Sequence, residues 1–413
     1  MRILALTWKH PLDHTAGGAE RYLVEVCRRW VSAGHEVTIF GPRLPAHLEL
    51  PEDYLGLGLP YVGKGSRLGV FNAARRYLRA NGHLYDRVLE TVSTRPFAAH
   101  RIVGDKAVAL YHQTAEEVWA LEYPPPISLL GRYVLEPAWV RSMVTARVVA
   151  VSPSTAAALA RFAVRCEAVV PPGCDAPREL TTRTGPSLAP KLLWIGRMVR
   201  AKRPQDALSA HVMIRQHFHA ASLDMVGSGY LEGKLKSRQA GGVSFHGRVS
   251  EETKAALMRA ADVLLLPGTR EGWGIVAIEA AAFGIPAVAF DVPGLRDAVV
   301  DGVTGVVVPP SATALGQATI SLLGDTCRWH RLSNSARRRA AAFSWDRAAR
   351  DLLSTLRELP TSNQRLSRDP IVTAMASTPD RVHLRSSSGR SGYASHHDLH
   401  LPGSAVTCRG AVS

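Results

Sequence analysis

The sequence predicts an α/β protein made of two doubly wound parallel-sheet domains that face each other across a cleft, followed by a disordered tail. Two observations support this fold class. At 413 residues the chain is too long for a single hydrophobic core, and short apolar strands alternate with helical segments twice, on either side of an unpatterned stretch. We therefore divide the chain into a first domain over residues 1–175, a linker over 176–190, a second domain over 191–342 and a tail over 360–413.

The first domain begins with a strand–loop–helix–strand unit. The strand "MRILALTW" leads into the Gly-rich loop "HTAGGAE", and a helix follows with Tyr22, Val26 and Trp30 at four-residue spacing until Gly34. The next strand is "HEVTIFG". Further strands are expected at "AVALYH" and "ARVVAVS", the last one followed by a helix that Ser152 caps. This order is typical of a parallel sheet.

The second domain repeats the alternation after the linker. A helix is expected over residues 204–217 and another in "SEETKAALMRAA", and the strand candidates are "KLLWIGR", "ASLDMVGSG", "VSFHGRV", "DVLLLPG", "PAVAF" and "TGVVVPP". Parallel sheets of this kind bind ligands beyond the carboxyl ends of their strands. The linker is polar and contains proline, whereas the Ser-, Arg- and His-rich tail lacks the apolar content to fold.

The net charge of +15 raises the question of an acidic partner. Nucleic acid is the first candidate, but the basic residues are dispersed, with the main cluster late in the chain at Arg337–Arg339. No zinc-finger spacing or RNA-binding aromatic motif accompanies them. We expect no nucleic-acid partner, because phosphorylated small molecules and anionic lipid surfaces attract the same charge.

A membrane surface is suggested by the segment 66–82, "SRLGVFNAARRYLRANG". Phe71, Ala74 and Leu78 share one helical face, and three arginines flank it. The alternative is that this face packs within its own domain. No apolar run approaches the ~20 residues that cross a bilayer, so we expect a cytoplasmic protein that can be peripheral at the inner face of the cytoplasmic membrane.

The five cysteines are an odd number without a CxxC pair, which argues against a disulfide framework and against a zinc site. The sequence also contains no Asp-x-Asp pair to hold a divalent cation. We therefore expect neither a metal nor another cofactor.

Two glutamates mark the predicted cleft. Glu271 lies in a glycine-flanked loop and Glu279 lies inside the apolar run 275–282, although glutamate is seldom buried without a partner. One interpretation is that Glu271 complements a helix N-terminus and Glu279 extends to solvent. The other is that both bind a ligand.

Cationic residues and glycines surround these glutamates in the predicted cleft. Arg197 ends the first strand of the second domain and Lys202 follows five residues later, a pair that suits a diphosphate. Backbone amides near Gly272 and Gly274 can donate to the same anion, while Gly17–Gly18 permits close approach of the first domain. Each glycine alone is also consistent with an ordinary tight turn.

The segment "GSGYLEG" after a strand superficially suggests a dinucleotide fingerprint. Its spacing is G-x-G-x-x-x-G, it lies in the middle of its domain, and no acidic residue ends the next strand for ribose recognition. We interpret Gly227 and Gly229 as a loop that faces a nucleotide other than NAD.

Taken together, the motifs over roughly residues 1–358 resemble those of the family 4 glycosyltransferases, which have two Rossmann-like domains in the GT-B arrangement. The resemblance rests on "GGAE", "YHQTAEE", "VSPST", "PPGCD", "GRMVRAK", "GSGYLEG", "VSFHGRVSEE" and "PGTREGWGIVAIEA". The last contains the family's E-x7-E motif. The resemblance also implies that a last helix, here over 343–359, returns to the first domain.

The resemblance implies a role for each matching residue. Glu279 would bind the ribose hydroxyls of a nucleotide-sugar, Glu271 would contact the transferred sugar, and Arg197 with Lys202 would hold the diphosphate. His112 matches the histidine beside the donor sugar, although a structural role for a satisfied core histidine stays open. We therefore predict Glu271, His112, Arg197 and Lys202 as catalytic.

Further residues are predicted to bind the donor. Arg248 sits where the family lines the base pocket. The complete donor-binding set is Gly17, Gly18, Arg197, Lys202, Gly227, Arg248, Glu271, Gly272, Trp273, Gly274, Ile275 and Glu279.

Three positions depart from the family pattern and put acceptor-side detail in doubt. The family often has asparagine at Pro172, a Gly-Gly pair at Pro293–Gly294, and glutamate at Asp297.

The expected function is a retaining, metal-independent transfer of a hexose from a UDP- or GDP-sugar to an acceptor hydroxyl of a glycan, glycolipid or small metabolite. Two alternatives are a nucleotide-sugar epimerase of the same fold, for which we find no placed acidic residues, and a non-catalytic nucleotide-sugar-binding protein. Loss of Arg197, Lys202 or Glu271 would have favoured the last alternative, and all three are present.

Overall fold

The computed structural model describes residues 1–11, 13, 16–43, 61–66, 69–175, 185–238 and 241–358. Two parallel sheets, each covered by helices, confirm the predicted fold class. The predictions for residues 176–184 of the linker and for the tail over 360–413 lie outside the described residues.

The first domain holds a parallel sheet in the order β3-β2-β1-β4-β5-β6-β7. Its strands are β1 (Arg2–Leu6), β2 (Glu36–Gly41), β3 (Tyr61–Gly63), β4 (Arg87–Val92), β5 (Ala107–Tyr111), β6 (Arg147–Ala150) and β7 (Ala168–Val169). Its helices are α1 (Gly18–Ser32), α2 (Val70–Asn81), α3 (His100–Val103), α4 (Val118–Glu122), α5 (Ile127–Leu130), α6 (Glu136–Arg141) and α7 (Pro153–Ala160). The predicted cap is present, since the Ser152 hydroxyl accepts a hydrogen bond from the Thr155 amide at 3.0 Å.

The second domain holds a parallel sheet in the order β10-β9-β8-β11-β12-β13. Its strands are β8 (Lys191–Ile195), β9 (Ser222–Val226), β10 (Val243–Gly247), β11 (Val263–Leu266), β12 (Ala287–Phe290) and β13 (Gly305–Val308). The helices are α8 (Pro204–His217), α9 (Glu232–Lys236), α10 (Glu251–Ala260), α11 (Ile275–Ala282), α12 (Leu295–Ala298), α13 (Ala312–Leu323) and α14 (Thr326–Ala340). Every predicted strand of this domain is present.

The last helix, α15 (Trp345–Arg357), packs on the first domain against α1. Trp30 on α1 is buried and donates its indole N–H to the Ala349 carbonyl at 2.9 Å. At the helix C-terminus, Arg147 donates to the Thr355 carbonyl at 2.6 Å and Arg87 to the Leu356 carbonyl. These cations satisfy carbonyls that a helix end leaves without an internal partner.

The structure corrects the membrane interpretation of segment 66–82. Helix α2 buries Phe71, Ala74 and Leu78 in the core of the first domain, together with Val70 of the same helix and apolar residues of the sheet. The apolar face is therefore unavailable to lipid, and the alternative considered for this helix is the correct one. None of the helices in the described residues is both long and apolar enough to cross a bilayer.

Candidate active site

The predicted site residues of the second domain gather at the carboxyl edge of its sheet. The neighbouring strands β10, β9, β8 and β11 are followed by Arg248, Gly227, Arg197 and the loop of Glu271, respectively. The parallel strand order thus brings together segments that are up to 74 positions apart in the chain. We expect a ligand at this edge.

Glu271 and Lys202 form an ion pair in this loop region. The Glu271 amide donates to the Pro293 carbonyl at 3.1 Å, which ties the loop to the turn before α12. At Gly294, where φ is +84°, a Cβ would collide with the Glu271 carbonyl, so only glycine fits. The departure Pro293–Gly294 therefore fixes the position of Glu271 through its backbone.

Glu279 is buried on α11 and has two cationic partners. Its carboxylate accepts a hydrogen bond from Arg21 on α1 of the first domain and another from Lys254 on α10 at 3.0 Å. Asp175 and Glu251 lie 3.6 and 3.7 Å from the same Arg21 guanidinium. Glu279 is therefore a buried, paired charge, and the interpretation that it extends to solvent is wrong.

The first domain approaches this loop with backbone atoms. A Cβ added at Gly272 would lie 2.5 Å from the His112 carbonyl oxygen, and one added at Gly18 would lie 3.1 Å from the Ile275 side chain. Gly274, with φ of +96°, precedes α11 as its N-cap. These glycines leave no room for a side chain between the two domains.

His112 follows β5 and is buried. Its amide donates to the Val92 carbonyl at 2.8 Å, and its carbonyl accepts from the Thr155 hydroxyl at 3.1 Å. The ring lies edge-on to Tyr22 with centroids 5.6 Å apart, and among the described residues Nε2 has no hydrogen-bond partner. Burial lowers the pKa of His112 to about 4, so the ring is neutral near pH 7.

Arg197 is exposed in the loop after β8, on the side facing the glycine-rich loop of the first domain. Burial raises the pKa of Glu20 in the first turn of α1, and the charges of Lys9 and Arg197 oppose the rise. The Glu20 carboxylate also accepts the Gly17 amide at 2.7 Å. Gly17 thus starts α1 through a capping box, and its amide is already used.

Three other predicted donor-site residues differ in burial. Gly227, with φ of +120°, is packed so closely on the Gly196 carbonyl that no Cβ fits. Arg248 is exposed just beyond β10. Trp273 is buried with its ring 5.3 Å from that of Phe343, so it packs against the segment that precedes α15.

Sequence reasoning missed the polar contacts that join the two domains. Buried Arg270, beside Glu271, pairs with Glu116 and Glu117 at 3.1 Å each. Burial opposes ionisation of Glu116, but hydrogen bonds from Arg161 and Thr114 and the charge of Arg270 leave its pKa below the usual value. The signal was a charged "TAEE" loop in one domain and a charged "TREG" loop in the other.

Two further contacts cross the cleft. The Glu122 carboxylate accepts the Ala201 amide at 2.8 Å, next to Lys202. The Asp297 carboxylate accepts the Ser154 amide at 3.1 Å, at the N-terminus of α7. An acidic side chain is favoured there because the helix presents free N–H groups, which gives Asp297 a structural role between the domains.

In the described parts of the chain, no group of three or more histidine, cysteine, aspartate or glutamate side chains is arranged to hold a metal ion. Lys202 and Arg197 supply cationic groups at the carboxyl edge of the second sheet.

Comparison with known proteins identifies the family. A sequence model described as Glycosyltransferase Family 4 matches residues 16–178, and one described as Glycosyl transferases group 1 matches residues 189–325. One model covers most of the first domain and the other most of the second. The chain belongs to the family 4 glycosyltransferases of the GT-B fold.

Individual relatives cover the chain to different extents. It is 34% identical to the glycogen synthase of Mycobacterium tuberculosis over 174 residues, which is 40% of this chain and 41% of the relative. The chain thus spans about two fifths of that relative's length in the alignment. It is 28% identical to the D-inositol 3-phosphate glycosyltransferase of Salinispora tropica over 411 residues, 83% of this chain and 81% of the relative.

Solved structures share the fold. Sucrose-phosphate synthase from Thermosynechococcus elongatus superposes with a TM-score of 0.68 at 21% identity, covering 86% of this chain and 97% of its own. HepE of Anabaena, in complex with UDP and glucose, superposes with a TM-score of 0.64 at 18% identity, covering 86% of this chain and 99% of its own.

Proposed function

We propose that the protein is a retaining glycosyltransferase that moves a hexose from a UDP- or GDP-sugar to an acceptor hydroxyl. The observation that carries the proposal is the Lys202–Glu271 pair at the carboxyl edge of the second sheet, facing His112 across the cleft. In this proposal the cation binds the diphosphate and the carboxylate binds the sugar attached to it. Family membership and the UDP-bound relative of the same fold support a nucleotide-sugar donor.

The proposed reaction takes place on one face of the sugar. The bond between the anomeric carbon and the diphosphate oxygen breaks, a bond to the acceptor oxygen forms, and the acceptor proton passes to the departing phosphate oxygen. Arg197 and Lys202 stabilise the charge that develops on that oxygen. Because these cations would supply the positive charge beside the diphosphate, the proposal requires no metal ion.

Glu271 and His112 would act on the sugar itself. Glu271 orients the hydroxyls while Lys202 holds its carboxylate. His112 presents its backbone carbonyl toward the donor loop, whereas its neutral ring lies behind, against Tyr22. We therefore propose that the carbonyl, rather than the ring, faces the positively charged sugar of the transition state.

The acceptor is proposed as a hydroxyl of a polyol, glycan or glycolipid. The names of two relatives mention glycogen and D-inositol 3-phosphate, and neither name assigns the acceptor of this chain. A screen should therefore offer myo-inositol phosphate, short α-glucans and lipid-linked sugars together with each donor.

A donor screen followed by product analysis tests the proposal. We expect one UDP- or GDP-hexose to raise Tm above the nucleoside diphosphate alone, transfer to continue in excess EDTA, and the first product to retain the donor's anomeric configuration by NMR. Loss of turnover on chelation with recovery on Mn²⁺ would contradict metal independence. An inverted anomer would contradict the same-face reaction, and a donor epimer as the product would show an epimerase.

A further inference from the structure

A patch of large apolar side chains is exposed on the first domain over residues 123–134. Six of the twelve large apolar residues exposed in the described chain lie in this short stretch, each with between 49% and 64% of its surface exposed: Tyr123, Ile127, Leu129, Leu130, Tyr133 and Val134. The other six are spread over the rest of the described chain. Exposed apolar residues are usually scattered singly, so a contiguous group indicates an interaction surface.

The Tyr123–Val134 patch is part of an ordered platform. Helix α5 and the π-helical turn Gly131–Leu135 turn their small residues inward, and Gly131 lies so close to the Trp119 ring that no Cβ fits. Buried Glu136 holds the platform by accepting the Glu116 amide and the Trp119 indole N–H, both at 2.9 Å. The inner face is thus fixed to the domain, while the apolar side chains point outward.

The charged side chains within the patch have one sign. No acidic residue lies between Glu122 and Glu136 in the sequence. Glu136 is buried, and Glu122 accepts hydrogen bonds from the Ala201 amide and the Tyr230 hydroxyl. Arg132 lies within the patch, 5.3 Å from the Tyr133 ring, and Arg141 is exposed at the end of α6. The surface that faces outward is therefore apolar with a cationic edge.

This composition fits a lipid bilayer better than it fits water or an acidic protein. Tyrosine rings suit the membrane–water interface, and apolar side chains can enter the boundary between head groups and acyl chains. Arginine beside them is attracted to anionic head groups by about 1 kcal/mol per residue. An acidic protein surface would complement Arg132 but would leave the six apolar side chains exposed.

The patch adjoins the candidate active site. Glu122, one residue before Tyr123, accepts the Ala201 amide, and Ala201 precedes Lys202. A bilayer in contact with the patch would therefore lie beside the mouth of the cleft.

We propose that the Tyr123–Val134 patch docks the protein on anionic lipid bilayers. The proposal concerns binding to the membrane and does not depend on the reaction proposed above. It assigns the membrane surface to α5 and the following turn, where the apolar residues are exposed, instead of α2, where they are buried.

Co-sedimentation of the full chain with vesicles tests the proposal. Equimolar phosphatidylcholine and phosphatidylglycerol should retain the wild-type protein, whereas phosphatidylcholine alone should retain much less. Ile127→Glu and Leu130→Glu should each weaken binding by about tenfold, because burial of the side chain is lost and a repelled charge is added. Val303→Glu is the matched control, since Val303 is 50% exposed on the second domain and should bind as the wild type does.

The same measurement has outcomes that overturn the proposal. Wild-type protein that stays in the supernatant with both vesicles, or patch variants that sediment like the wild type, would do so. Equal binding to both lipid compositions would remove the role of the anionic head groups. If light scattering shows a wild-type dimer that Leu130→Glu converts to monomer, the patch binds a second copy instead. Should a glutamate variant melt early, Leu129→Gln and Val134→Thr, which add no charge, replace it in the assay.

Discussion

Gly272→Ala tests whether the two domains close to the geometry observed here. The substitution adds one methyl group, 2.5 Å from the His112 carbonyl oxygen across the cleft. Real Cβ atoms almost never approach another heavy atom within 3.0 Å. The two backbones must therefore separate by about half an ångström or more, and the question is where the movement occurs.

Local adjustment is restricted on both sides of the contact. The His112 carbonyl is bound by the Thr155 hydroxyl, and the loop before Gly272 is tied to Pro293 through the Glu271 amide. We therefore expect the domains to open as rigid bodies. A displacement of about 1 Å at a reacting centre lowers the rate by about 100-fold, so a displacement of about half an ångström should lower kcat by roughly 10-fold. Because neither domain core is touched, Tm should change by less than about 4 °C.

The assay combines turnover with small-angle X-ray scattering of the nucleotide-bound protein. Gly272→Ala should increase the radius of gyration and lower kcat, whereas Gly233→Ala should change neither. Gly233 is the matched control, since it lies in α9 with nothing within 4 Å of an added Cβ. If Gly272→Ala keeps wild-type turnover and scattering, the closed arrangement is not the reactive one. Scattering alone tests closure even before the acceptor is known.

Three further predictions concern the ionisable side chains of the site. Lys202→Ala should lower kcat by about 100-fold with little change in Tm, because a charge-assisted hydrogen bond to the leaving diphosphate contributes about 1.5–3 kcal/mol; near-normal turnover would remove Lys202 from the site. Arg21→Ala removes one of the two cations bound to Glu279. It should lower the free energy of unfolding in urea by about 1–3 kcal/mol and raise the donor KM. Arg28 is exposed on the same helix, and Arg28→Ala should change neither quantity. Since burial lowers the pKa of His112 to about 4, kcat/KM should show no inflection near pH 6.5 from its ring. The free energy of unfolding should fall by up to about 3 kcal/mol through this group as pH falls from 6.5 toward 4. A smaller fall on acidification in His112→Gln than in the wild type would support that sign, and an equal fall would contradict it.

The helices and strands with strong local signals could be predicted from the sequence. Helix α8 occupies the predicted range 204–217, because Pro204 is suited to the first turn of a helix. Strand β4 (Arg87–Val92) was missed because charged residues interrupt its apolar pattern. In the structure Glu90 is buried, with backbone hydrogen bonds from Phe97, Ala98 and Ala99, and burial raises its pKa to about 7. These amides belong to the loop after the strand, so the pattern of the strand itself does not show them.

In the candidate site, too, some features could be predicted from the sequence and others could not. The alternation of strands and helices predicts parallel strands, so it could be predicted that Arg197, Glu271 and Lys202 lie at the carboxyl edge of the second sheet. The partners of Glu279 could not, since Arg21 is 258 positions away and reaches it only when the domains are together. The apolar face of α2 was misassigned for a similar reason, because periodicity identifies an amphipathic helix without showing what covers it.

The contacts between the domains suggest how the cleft can be accurately shaped and still open. Several of them are polar: Arg270 with Glu116, Glu122 with the Ala201 amide, and Asp297 with the Ser154 amide. Water can replace such contacts at small net cost, so they hold the domains less firmly than an apolar interface would. The glycines opposite His112 and Ile275 set the distance of closest approach. Sterics therefore define the closed geometry while polar contacts stabilise it reversibly, as the proposed reaction would require, because a donor would enter and a nucleotide would leave in each cycle.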